Sequence, residues 1–157
     1  MRKRLIASVS QHASVPSEAW LDVESAAVVE VTSEDTAYPI ESALLVGEKR
    51  GWRAAKPGSQ TIRLIFDEPQ NLRRIWLVFD ESETRRTQEF LLRWSVDAGH
   101  SFRDIVRQQW NFSPPETVRE VEDYTVELSD VRVLELIIVP DKTGGEAHAS
   151  LESLRLA

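Results

Sequence analysis

From residue 20 onward, apolar and polar positions alternate with a period near two in a series of short segments. "TIRLIFDEP" (61–69) sets Ile62, Leu64 and Phe66 against Arg63, Ile65 and Asp67, and stops at Pro69. "QEFLLRWSV" (88–96) puts Phe90, Leu92, Trp94 and Val96 on one face, and "DYTVELS" (123–129) does the same with Tyr124, Val126 and Leu128. Such alternation is the signature of a half-buried strand, because successive side chains point to opposite faces of a sheet. "RIWLVFDES" (74–82) is apolar at every position from Ile75 to Phe79, and "VRVLELIIVP" (131–140) is nearly as dense before Pro140. These two read as strands covered on both faces. "SAAVVEVTS" (25–33) and "ASLESLRLA" (149–157) complete the set.

The segments are bounded by Pro, Gly, Asp, Asn and Ser clusters. Many short strands with few helices predict an all-β chain, an antiparallel jelly-roll sandwich of about eight strands. "SFRDIVRQQW" is ambiguous, since Phe102, Ile105, Val106 and Trp110 stand near helical spacing. The turn-like "DAGHSF" before it favours a strand. Residues 1–19 are weakly patterned and read as an N-terminal arm, with a single domain over 20–157. No internal repeat or low-complexity segment is present.

"LLRWSVDAGHSF" (91–102) brings Ser95, Asp97 and His100 close together in sequence. Those are the residue types of a hydrolytic triad. A triad, however, needs the base within hydrogen-bond reach of the serine and a carboxylate on the other ring nitrogen. The strand alternation before Asp97 and the glycine at 99 predict a hairpin corner instead, with Gly99 at positive φ and Asp97 bonding its own downstream backbone. No Gly-x-Ser-x-Gly elbow surrounds Ser95. His12 and His148 are isolated, with no zinc-binding spacing.

Composition narrows the function classes. The chain has 157 residues, no cysteine and a net charge of −7 from 26 acidic and 19 basic residues. A chain of this length buries about 70% of its unfolded surface, so one core suffices. Thiolate metal sites, disulfides and a cysteine nucleophile are excluded. The acidic excess argues against a nucleic-acid partner. The doublets Arg73–Arg74 and Arg85–Arg86 read as a solvated rim. The basic start "MRKR" is not followed by an apolar run, and no stretch is long and apolar enough to span a membrane. A cytoplasmic location is the expectation.

"EFLLRWSVDAGHSFRDIV" resembles the central hairpin of discoidin-type domains, also called coagulation-factor C-type or galactose-binding-like domains. The correspondence runs through Phe90, Ser95, Asp97, Gly99 and Phe102, with Ala98 as an extra turn residue. "GWRAAKPGSQTIRLIFDEPQNLRRIWLVF" is similar to the family's tryptophan–loop–strand–strand block, and "VRVLELIIVPDKTGGEAHASLESLRLA" to its closing strands. The resemblance covers about 40–157. It implies a non-catalytic module that binds ligands through loops at one end, usually glycans, lipids or peptides. It also implies a structural calcium in many members, here near Glu41 and Glu152. The glutamate those members use falls at Ser153 in this chain, and Glu152 points to the other face of a strand, which weighs against calcium. The absent cysteine pair fits an intracellular or bacterial relative.

Loop aromatics and arginines are the natural ligand contacts in such a module. Trp52 with Arg53, Arg85 with Arg86, and Trp110 with Asn111 are therefore the candidate binding residues, together with His148 in the flexible "DKTGGEAH" loop. For Trp52 and Trp110 the alternative is packing in the core, where Trp76 and Trp94 are also expected. Three readings remain open: a carbohydrate-binding module, a protein-interaction scaffold of the same fold, and a glycosidase-like enzyme. The last would need two of its carboxylates, among Asp67, Glu68, Asp80, Glu81, Glu89, Glu120, Glu122 and Asp123, to share a cleft with one pKa raised.

Overall fold

The structure, a computed structural model, describes residues 19–48 and 50–157; the arm read over 1–19 lies outside them up to residue 18, as does His12. Eight strands and two single-turn helices follow in the order α1 (Val23–Ala26), β1 (Ala27–Val31), α2 (Glu41–Leu44), β2 (Trp52–Pro57), β3 (Gln60–Asp80), β4 (Arg86–Ser95), β5 (Arg103–Phe112), β6 (Arg119–Val139), β7 (His148–Leu151) and β8 (Ser153–Leu156). All strand pairs are antiparallel. The ambiguous segment after "DAGHSF" is strand β5.

Two long strands build both layers. The first half of β3 lies between β1 and the second half of β6, and β4 and β5 extend that sheet. The second half of β3 lies between β8 and the first half of β6. The β2–β7 pair continues this layer, since β7 runs into β8 through Glu152, whose N–H donates to the Val78 carbonyl at 2.9 Å. The sequence reading split these long strands at Pro69 and near Asp130. The chain instead passes through both points, with register shifts between Ile65 and Arg74. Pro69 is exposed, so its missing N–H costs no buried ladder bond, and Asp130 takes the left-handed φ of 58° that bends β6.

Alternation places the core as predicted. Ile62, Leu64 and Phe66 of β3, Phe90 and Leu92 of β4, and Leu134, Leu136 and Ile138 of β6 all face inward and are buried. Phe79 and Phe90 stack with ring centroids 5.2 Å apart. The run Ile75–Phe79 is buried on both faces, because Trp20 stacks on Trp76 at 6.2 Å on the outer side. Also on that outer side, the buried Arg155 guanidinium donates to the carbonyls of Ala43, Leu154 and Leu45. On the outer face of the larger sheet, Glu30, Arg63, Glu135, Arg93 and Asp104 stand in register across five strands. Glu135, 1% exposed, accepts from Arg63 Nε and Arg93 Nε, each at 2.7 Å.

Candidate functional site at the loop end

The hairpin at 95–101 uses its polar side chains on itself. Ser95 Oγ donates to Asp97 Oδ1 at 2.6 Å and accepts from the N–H groups of Asp97 and Gly99. Asp97 also accepts from Ser101 N–H and Oγ, at 2.9 and 2.5 Å. These bonds, Ser101 first and then Ser95, hold the Asp97 carboxyl well below the usual carboxylate range. His100 is exposed. Ala98 and Gly99 both take positive φ, 60° and 88°, which is the turn geometry a tight hairpin requires. The triad residue types are therefore turn chemistry.

The opposite end of the sandwich gathers the loops after β1, β3, β5 and β6. Backbone bonds tie them together: Asp35 N–H to Arg53 O (2.8 Å), Glu81 N–H to Val118 O (2.7 Å), Lys142 N–H to Thr87 O (2.8 Å) and Gly58 N–H to Ala147 O (3.1 Å). Between the loops runs a polar groove. One part, about 290 Å³, is lined by Tyr38, Arg50, Arg53, Glu83 and Glu152. The other, about 610 Å³, is lined by Glu34, Asp35, Arg53, Glu83, Glu146 and His148. Arg53, Asp80, Glu81, Glu83 and Ser150 line both, so the two parts are continuous. A further cavity of about 360 Å³ lies on the far side of Arg86, between Arg85, Asn111 and Asp141.

Six of the seven sequence candidates line these cavities: Trp52, Arg53, Arg85, Arg86, Asn111 and His148. Arg53 is exposed, and its guanidinium carbon lies 4.9 Å from the centre of the Tyr38 ring, with that of Arg50 at 5.4 Å. His148 Nδ1 is 2.9 Å from the Ala54 carbonyl. A carbonyl only accepts, so the proton sits on Nδ1 and Nε2 of the neutral ring is an acceptor. Asn111 accepts from Thr87 Oγ1 at 2.8 Å and keeps its amide donors.

Three expectations need correction. Arg86 is not part of a solvated rim: it is 5% exposed, donates to the His148 carbonyl at 2.8 Å and pairs with Glu81 at 3.4 Å. Burial lowers its pKa, and it braces the loops more than it faces solvent. Trp52 contributes to the wall of the smaller part of the groove, but at 1% exposed, with its indole N–H donated to the Ser33 carbonyl at 3.1 Å, it packs as core. Trp110 sits on the inward face of β5 opposite Gln88, away from the groove, and packs against the core.

One inward step below Arg86 lies a buried polar cluster. Glu120 is 0% exposed, with Gln88 Nε2 donating to its Oε1 at 3.3 Å. Glu122 stands two residues on, and accepts from Tyr124 Oη at 3.1 Å. Burial first, and the neighbouring Glu122 second, push the Glu120 carboxyl up to about 8. Glu120 Oε2, Gln88 Oε1 and Trp110 Nε1 are buried with no partner in the protein. This is a carboxyl pair with one raised pKa, but it lies inside the sandwich and lines none of the loop-end cavities.

No family-level sequence profile and no curated protein matches the chain. Solved structures do. The CBM32 of AlyQ in complex with 4,5-unsaturated mannuronic acid aligns with a TM-score of 0.61 at 12% identity, over 83% of this chain and 93% of that one. The family 32 CBM from C. perfringens NanJ in complex with galactose aligns at 0.60 and 14%, over 85% and 94%. Reduced XRCC1 bound to the DNA pol beta catalytic domain aligns at 0.59 and 15%, over 84% and 94%. The fold is the discoidin-type, galactose-binding-like sandwich.

At the two positions where the resemblance puts calcium, Glu41 is exposed on α2 and Glu152 is paired with Arg119 at 2.9 Å. Sequence reasoning also missed Tyr38, Glu83 and Ser150. The polar stretch "SEDTAYP" before Ile40 is the signal that could have found Tyr38: an aromatic in a loop too polar to be a strand.

Proposed function

We propose that the protein is a non-catalytic carbohydrate-binding module that holds its ligand in the loop-end groove. The observation that carries this reading is the assembly of Tyr38, Arg53, His148 and Ser150 along one continuous concavity. Sugars present hydroxyl rows and an apolar ring face. Arginine donors, an imidazole acceptor, a hydroxyl and an aromatic ring match that chemistry. Sandwiches of the same fold recorded with mannuronic acid and with galactose support the assignment by analogy of fold. The raised carboxyl at Glu120 does not support a glycosidase reading, since Glu120 is 0% exposed and lines none of the loop-end cavities.

The test is a glycan array followed by titration calorimetry. Arg53→Ala should weaken binding at least about tenfold, the loss of roughly 1.4 kcal/mol expected for a charged hydrogen-bond donor. Arg132→Ala, an exposed change in β6 outside the groove, should leave binding unchanged. An array without hits overturns the assignment. A single stoichiometric protein partner would favour instead the scaffold reading, which the fold likeness to XRCC1 in its polymerase complex supports.

A further inference from the structure

The charges of the groove are unevenly spent. Three of its carboxylates have cationic partners: Glu81 pairs with Arg86, while Asp80 and Glu152 pair with Arg119 at 3.8 and 2.9 Å. Four others, Glu34, Asp35, Glu83 and Glu146, have no cationic partner among the described residues. Against them stand Arg50 and Arg53, whose guanidinium groups lie over the Tyr38 ring. The groove is thus negative after internal pairing, in a molecule whose net charge is −7.

We infer that the groove selects by charge, rejecting uronic-acid glycans and favouring a glycan that carries a free amine. The inference rests on the loop-end groove being the glycan site. All four unpaired carboxylates line the larger part of the groove, and charges interact over a screening length of about 8 Å at physiological salt, so the charge of a ligand seated there is felt. A carboxylate on the sugar meets Glu83 whichever part of the groove it occupies, because Glu83 lines both parts. Like-charge juxtaposition of that kind suppresses wrong partners more than any contact promotes the right one. An ammonium finds the same carboxylates as acceptors for charge-assisted hydrogen bonds. A neutral sugar gains neither term and falls between. Glu83 and Glu146 are exposed, and neither accepts a backbone hydrogen bond, which leaves them available to a ligand and makes them the specificity-determining pair.

Titration calorimetry with three oligosaccharides of equal length tests this: glucosamine, N-acetylglucosamine and galacturonate oligomers, each at low and high salt. The expected order is amine, then neutral, then acid, with at least tenfold between the first and the last. High salt should compress the order, and the double variant Glu83→Gln/Glu146→Gln should do the same at low salt without changing the melting temperature. Acid oligomers binding as tightly as amine oligomers would overturn the inference and leave the glycan assignment standing. An order untouched by salt and by the double variant would also overturn it. Absence of binding to any glycan would overturn the assignment itself.

Discussion

Glu120 carries a proton at neutral pH because ionising it would strand a charge between two sheets. Its ordinary value of 4.5 holds for the unfolded chain, while the folded value is about 8. The unfolded state therefore gives up this proton first as pH rises. Stability from the protonated carboxyl is complete below 4.5, declines through the interval from 4.5 to 8 and is gone above it. The slope from this one group is at most about 1.4 kcal/mol per pH unit. Glu120→Gln keeps the shape and removes the proton, so its melting temperature should exceed that of the parent at pH 8 and match it at pH 4.5. Equal curves at both pH values would show that Glu120 ionises freely. At the same scale, Ser95 anchors three hydrogen bonds of the 95–101 turn and is buried. Ser95→Ala should cost roughly 1–3 kcal/mol in denaturant unfolding, with glycan affinity unchanged. A loss of affinity at constant stability would instead give the turn a functional role.

At the scale of elements, alternation in the sequence tells which face of each strand is buried but not where a strand ends. Pro69 and Asp130 look like stops, yet β3 and β6 run through them as 21-residue strands. A proline stops a strand only where its N–H is needed, and Pro69 is exposed. The fate of Trp52 was equally hidden, since the sequence places it in a loop after "GEKRG". It becomes core because Gly51 lets β2 close tightly on β7. A β-carbon at Gly51, at φ +74°, would lie 2.7 Å from the Leu151 carbonyl oxygen and 2.9 Å from Glu152 Cα. Gly51→Ala should therefore cost at least roughly 1–3 kcal/mol, with amide exchange accelerating in 52–54 and 149–151 before the larger sheet responds. Unchanged protection there would mean that β2 and β7 pair without this close approach.

For the whole molecule, the discoidin-type sandwich was legible from one hairpin and the order of the strand blocks, because turn residues and alternation are local. The site was legible only in part. Arginines and a histidine in separate loops were identifiable as contacts, and Arg53, Arg85, Arg86, Asn111 and His148 do converge at one end. Their convergence depends on long-range strand order, which no local pattern encodes. Tyr38 joins them from a loop some distance upstream, through the bridge between Asp35 and Tyr38 and the pairing of that loop with Arg53. The most direct test of the glycan assignment is a nuclear magnetic resonance titration of the labelled protein with the strongest glycan from the array. Saturable shift changes should cluster at Tyr38, Arg53, Glu83, His148 and Ser150, and leave the 95–101 hairpin still. Shifts centred on that hairpin or on the outer face of the larger sheet would contradict the loop-end site.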